Sequence, residues 1–225
     1  MEATERLQEV SDRIAHAIGQ SRRPPGSVRL VIVTKGVEAA RLPGVVSGTT
    51  LFGESRVREA LEKREALAQM DAFEGEVKWH LIGHLQHNKV KAAVGHFDLI
   101  QSVHSVPLAR EIDRLASGSG VSQGVLLQVN LSAEETKQGF LRDEVEKGLE
   151  QIRGLPHLSV QGLMTIPPPP RIPEDSRPYF RALWELSERF GLKECSMGMS
   201  SDFEVAIEEG ATLVRVGTAI FGERR

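Results

Sequence analysis

Cysteine is almost absent. The single Cys195 in 225 residues excludes an internal disulfide and fits a reducing compartment. An excess of one charge is absent too: 28 basic and 31 acidic residues leave a net charge of −3. No block of like charge stands out, so neither a nucleic-acid footprint nor a charged interaction tail is expected. No apolar run approaches the roughly 20 residues that a membrane span needs. The N-terminal segment MEATERLQEVSDRIAHAIGQ has neither the basic head nor the apolar centre of a signal peptide. These absences point to a cytoplasmic chain, off membranes and off nucleic acid. Tyrosine occurs once, at Tyr179, which narrows the choice of acid/base groups.

What is present supports an ordinary core, with 40% apolar residues. Leu7, Val10, Ile14 and Ile18 share one face of a helix over residues 1–20, expected to pack on the rest. Strands are expected at Leu30–Lys35, Thr50–Phe52, Lys78–Gly83, Phe97–Gln101, Val125–Asn130, Ser159–Met164, Glu194–Met197 and Thr212–Val216. Helical patterns fall between them at Ser55–Met70, Val106–Ser117, Arg142–Arg153, Arg177–Phe190 and Ser201–Glu209, the last with Ser201 and Glu204 as a capping box. Eight strands alternating with helices predict an α/β chain folded as one (β/α)₈ TIM-type barrel domain over residues 1–225. The rival, an open doubly wound sheet, usually has a Gly-rich turn after its first strand, and no G-x-G-x-x-G occurs here. The run Ile166-Pro167-Pro168-Pro169-Pro170-Arg171-Ile172-Pro173 reads as a stiff βα loop. Its other reading, a ligand for a proline-binding module, rests on one P-x-x-P spacing.

Chemistry concentrates at two places. Lys35 closes the run Leu30-Val31-Ile32-Val33-Thr34-Lys35 and precedes Gly36. A lysine delivered by a buried strand can sit in a dry pocket, where the neutral amine that condenses with aldehydes is favoured. The plain alternative is a strand-end lysine that snorkels to water. The other lysines have charged or polar neighbours and read as solvated. At the far end, alternation puts Leu213, Arg215 and Gly217 on the inner side of the last strand, with Val214 and Val216 toward the helices. A guanidinium on an inner face requires a carboxylate or a ligand. Gly217-Thr218, with the Ser200 hydroxyl after strand seven, forms an anion cradle where barrels commonly bind phosphate. Strand one adjoins strand eight in a closed barrel, so amine and cradle face one space. Pyridoxal 5′-phosphate, an aldehyde that carries a phosphate, fits both ends.

The motifs VTKG around Lys35, LFGESRVREAL at 51–61, WHLIGHLQHNK at 79–89, QVNLSAEETKQGF at 128–140, GLMTI at 162–166, SMGMSSDFEVAIEEG at 196–210 and VRVGTAIFGER at 214–224 are long and ordered. On them the chain resembles the pyridoxal phosphate homeostasis proteins, which have the alanine racemase N-terminal-domain barrel. The resemblance implies that Lys35 carries the cofactor as an internal aldimine. It also implies that Ser200, Gly217 and Thr218 hold the phosphate, that Arg215 faces the pyridine nitrogen and that Met199 lies beside the cofactor. Ser55 and His80 complete the expected cofactor-binding set. Ser55 replaces the asparagine usual in the family, and His84 stands where proline is common.

The expected function is therefore intracellular homeostasis of pyridoxal 5′-phosphate, held and passed to apo-enzymes without turnover and with no catalytic residue assigned. The first alternative is a pyridoxal-phosphate-dependent amino-acid racemase. It needs a second acid/base opposite the lysine, for which Tyr179, His80 and Lys137 are the candidates. The second is a lyase that uses Lys35 on a sugar phosphate with no cofactor. His80, His84 and His87 have a loosely metal-like spacing, but Gly83 interrupts it and no metal is expected.

Overall fold

The computed structural model describes residues 2–70, 76–134 and 136–223. Met1 of the expected N-terminal helix, Glu135 of the 128–140 motif and Arg224 of the last motif lie outside the described residues. Among the described residues, eight parallel strands close into a barrel. They are β1 (Arg29–Val33), β2 (Thr49–Glu54), β3 (Glu76–Leu81), β4 (Leu99–Val103), β5 (Gln123–Asn130), β7 (Leu158–Met164), β8 (Glu194–Ser196) and β9 (Leu213–Val216). Their order is β4-β3-β2-β1-β9-β8-β7-β5, and pairing of β4 with β5 closes the ring. A two-residue strand, β6 (Phe140–Leu141), pairs with β5 outside the ring.

Helices follow the strands, as their amphipathic patterns require: α2 (Val57–Ala68), α3 (Val90–Ala93), α4 (Val106–Ser119), α5 (Val145–Arg153), α6 (Arg177–Arg189), α7 (Phe203–Glu208) and α8 (Thr218–Phe221). The first helix, α1 (Ala3–Gln20), buries Val10, Ile14, Ala17 and Ile18 and packs on α7 and α8. Ser105 caps α4 by accepting from the Leu108 amide at 3.3 Å, and Gly120 ends that helix in the left-handed region at φ 65°.

The inside of the barrel is layered. Val31, Leu51, Leu99, Leu126, Met164 and Leu213 form an apolar plug, separate from the larger core between strands and helices. Two residues further along their strands, Gln101 and Arg215 begin a polar layer. Val214 and Val216 lie in the outer core and Leu213 in the plug, as alternation along β9 requires.

Several boundaries differ from the sequence expectation. Strand β1 ends at Val33, and Lys35 sits in the turn two residues beyond. Helix α2 starts at Val57, which leaves Ser55 in the preceding turn, and α5 starts at Val145 rather than Arg142. The capping box on Ser201 does not form. Helix α7 starts at Phe203 because Asp202 instead folds back to accept from the Met199 amide at 2.7 Å. Lys63, read as solvated, is buried on the inner face of α2.

Candidate functional site

A cavity of about 520 Å³ opens at the C-terminal ends of β1, β8 and β9, within the roughly 300–1,000 Å³ typical of small-molecule sites. Its cationic side is built by two strands. Alternation along β1 continues from Val31 through Val33 to Lys35, so Val33 and Lys35 both reach the wall. Lys35 is partly exposed, so the dry pocket expected for it is open on one side. On β9 the same alternation brings Arg215 to the wall.

The hydroxyl side comes from three turns. Ser55 follows β2, Ser200 and Ser201 follow β8, and Thr218 opens α8. Ser200 Oγ accepts from the Ala219 amide at 3.3 Å, which ties the turn after β8 to the start of α8. Asp202 is buried beneath them. Its second carboxylate oxygen accepts from Ser176 Oγ at 2.7 Å, anchoring the 199–202 turn to the start of α6. Gly217 is needed for close approach: a Cβ there would lie 2.9 Å from the Val33 carbonyl oxygen. Gly83 is needed still more, since its Cβ would lie 2.3 Å from the Ser55 carbonyl oxygen. Ile82, Ile166, Val37 and Met199 supply the apolar wall.

Arg215 is 3% exposed and has no carboxylate in contact among the described residues. One terminal nitrogen donates to Ser196 Oγ at 2.7 Å and the other to the Thr165 carbonyl at 2.8 Å. Burial pulls the guanidinium down to about 10, with the charge of Asp202 acting against it. The partner that the sequence demanded for this cation is therefore a set of neutral dipoles. Its positive charge meets the cavity with only the more distant carboxylate of Asp202 to offset it.

The dipoles continue inward. Ser196 Oγ donates to Gln101 Oε1 at 2.6 Å, and Gln101 Nε2 lies 2.9 Å from His80 Nδ1. Because the Gln101 oxygen accepts from Ser196, its amide donates to His80, which puts the imidazole proton on Nε2. Burial, then repulsion from Arg29 and Lys78, pushes His80 down to about 3. His80 does point into the barrel, but it is not on the cavity wall. This corrects its place in the expected cofactor-binding set: it meets the cavity only through Gln101, Ser196 and Arg215.

That depression makes a pH prediction. A histidine held neutral when folded but titrating near 6.5 when unfolded contributes stability above 6.5 and loses it as pH falls toward 3. The loss runs at about 1.4 kcal/mol per pH unit. Urea unfolding of His80→Gln, which keeps an acceptor for Gln101, is expected to remove about 2 kcal/mol of the stability difference between pH 6.5 and pH 5. An unchanged difference would assign the acid sensitivity to other groups.

The comparisons with known proteins agree with this geometry. The alanine racemase N-terminal domain family matches residues 10–225. A relative from Aquifex aeolicus, a pyridoxal phosphate homeostasis protein, is 44% identical over 232 aligned positions that span all of both chains. The chain belongs to the pyridoxal phosphate homeostasis protein family. A second member, from Synechocystis, is 40% identical over 89% of this chain and 93% of its own. Among solved structures, PipY of Synechococcus elongatus with PLP bound superposes with a TM-score of 0.81 at 36% identity, covering 98% of this chain and 100% of PipY. Alanine racemase of Clostridium difficile, at 14% identity and a TM-score of 0.73, covers 98% of this chain and 57% of its own, and shares the barrel fold.

Seven of the eight residues expected at the site of this family member, Lys35, Ser55, Met199, Ser200, Arg215, Gly217 and Thr218, stand around one cavity. The candidates for a second base do not. Tyr179 lies on α6, and Lys137 pairs with Glu134 at 2.9 Å in the loop after β5. His84 packs against His104 with centroids 5.0 Å apart and the rings tilted by 45°. Cys195 is buried, and burial raises its thiol to about 11, which leaves it inert at neutral pH. Sequence reasoning missed Asp202, Ser196, Gln101, Glu54 and Lys63. The only signal for Asp202 was its place in Ser200-Ser201-Asp202, where it resembles a helix cap.

Proposed function

We propose that this chain stores pyridoxal 5′-phosphate on Lys35 and hands it to apo-enzymes in the cytoplasm, without turnover of its own. The carrying observation is the polarity of the cavity. Its wall bears one lysine, one arginine and four hydroxyl residues, and no carboxylate among the described residues. Such a donor set fits an anionic ligand with an electrophilic carbon, and family membership together with PipY's bound PLP supports the same ligand. Bound there, the cofactor supplies an aldehyde. Lys35 would hold it through that carbon, with water leaving as the C=N bond forms and returning, or a recipient's amine entering, as the bond is undone. Ser200, Thr218 and the Gly217 turn would hold the phosphate by donated hydrogen bonds. Ser55 and Met199, on the same wall, would flank the ring.

Arg215 decides between carrier and catalyst. A guanidinium donates hydrogen bonds and gives up no proton, so facing the ring nitrogen it disfavours a protonated ring and weakens the electron sink. A two-base racemase also needs an acid/base group opposite Lys35. Among the described residues the wall carries no tyrosine, histidine, cysteine, aspartate or glutamate. Both points support storage. The test is the visible spectrum of the purified chain with pyridoxal 5′-phosphate, before and after borohydride, with mass mapping of the label. A yellow band that borohydride bleaches, with the label on Lys35 and no change in amino-acid optical activity, is expected. A colourless chain, or a label elsewhere, overturns the reading.

A further inference from the structure

Lys35 is held from behind by charge. Lys63, on α2, is buried with a side chain 7% exposed, and its ammonium meets Glu54 at 2.6 Å and Glu59 at 2.7 Å. The same ammonium donates to the Thr34 carbonyl. Thr34 Oγ1 donates to Glu54 Oε1 at 2.6 Å, and the Gly36 amide donates to Glu59 Oε1. Three of these five bonds fall on residue 34 or residue 36, the two neighbours of Lys35, and the other two tie the cluster together. Here a buried ion cluster grips the main chain on both sides of one residue.

A buried lysine between two carboxylates gives weak support to stability, because desolvation offsets the attraction. Charge-assisted bonds do fix geometry well. We infer that Glu54, Glu59 and Lys63 are positioning residues that aim the Lys35 amine into the cavity. The inference rests on the proposed covalent role of Lys35. Glu54 is the deepest member: it is fully buried, its Oε2 has no hydrogen-bond partner, and burial holds its carboxyl above the usual range against the pull of Lys63. Lys63 is thus what keeps this carboxyl in register with Thr34. Glu59 is partly exposed and acts on Gly36 alone among the neighbours of Lys35.

The two ligands that separate aim from shape differ at one group. Pyridoxal 5′-phosphate condenses with Lys35, whereas pyridoxine 5′-phosphate carries an alcohol in place of the aldehyde and binds without condensing. For Lys63→Met the rate of borohydride-trapped labelling at Lys35 is expected to fall by roughly tenfold to a hundredfold, as misplacing a reacting group does. For Glu59→Ala a fall of about threefold is expected, and in both variants the affinity for pyridoxine 5′-phosphate stays within about twofold. Labelling at the wild-type rate in both variants overturns the inference and leaves the proposed function standing. Equal losses for the two ligands also overturn it, because they mean the cluster only shapes the cavity. A wild-type chain that takes no label at Lys35 overturns both. If Lys63→Met does not fold, Glu59→Ala decides, since that side chain lies at the surface of α2.

Discussion

Lys35→Ala is expected to leave the chain folded and to abolish the borohydride-bleached band completely. The side chain stands in a turn beyond β1, lines a cavity and is partly exposed, so its loss removes no core packing. Unfolding by heat should shift by no more than a surface substitution does, within about 0.5 kcal/mol. The Ser200, Gly217 and Thr218 turns proposed to hold the phosphate are untouched, so residual binding should persist, weakened by at least roughly tenfold, or about 1.4 kcal/mol. Equilibrium dialysis measures that residue of binding and absorbance measures the band. A band that persists in Lys35→Ala would transfer the chemistry to another lysine and overturn the assignment of this one.

Arg215→Glu should do the most damage of any change at the site. The introduced carboxyl would face the Thr165 carbonyl, which loses its donor, inside a barrel that is closed to water there. An uncompensated buried charge costs about 3–5 kcal/mol, which for a chain of this size is a fall in Tm of roughly 10 °C. Part of it should return as pH falls, because the introduced acid binds a proton more readily in the folded state than in the unfolded one. Arg215→Met separates charge from shape. Methionine lifts the cost of burying a cation while leaving Thr165 and Ser196 without their donor, so its net change should stay within about 2 kcal/mol. With ligand bound, the glutamate variant can accept a proton-bearing ring nitrogen and should shift the visible band, whereas the methionine variant cannot. Identical spectra at full occupancy in both variants and wild type would make Arg215 a structural residue.

Both predictions draw on residues that local sequence pattern located, Lys35 as the close of an apolar run and Arg215 by alternation. Val31, Val33 and Lys35 share one side of β1 and its extension, and Leu213 and Arg215 share one side of β9. A period of two survives in a single sequence because each strand has one face toward the barrel axis. His80 shows where that signal stops. Alternation says inward, but not how deep: the register of His80 with Leu99 sets it beside the apolar plug, short of the wall. Lys63 shows the same failure on a helix. With Glu59 four residues before it, it reads as an ordinary exposed i,i+4 pair. Glu54, nine residues back on β2, gives no periodic cue that the three groups meet.

The order of strands and helices, the inner and outer faces of each strand, and the residue types crowding the two ends of the chain were written in the sequence, because local periodicity and turn chemistry act over a few neighbours. Closing the ring decided the rest. It set β9 beside β1 and so brought Arg215 and Thr218 to Lys35, it buried Lys63 against Glu54 and Thr34, and it strung Ser196, Gln101 and His80 into one line. Those contacts join residues as distant in the chain as Arg29 and Leu213, and only the three-dimensional register of the strands determines which of them meet.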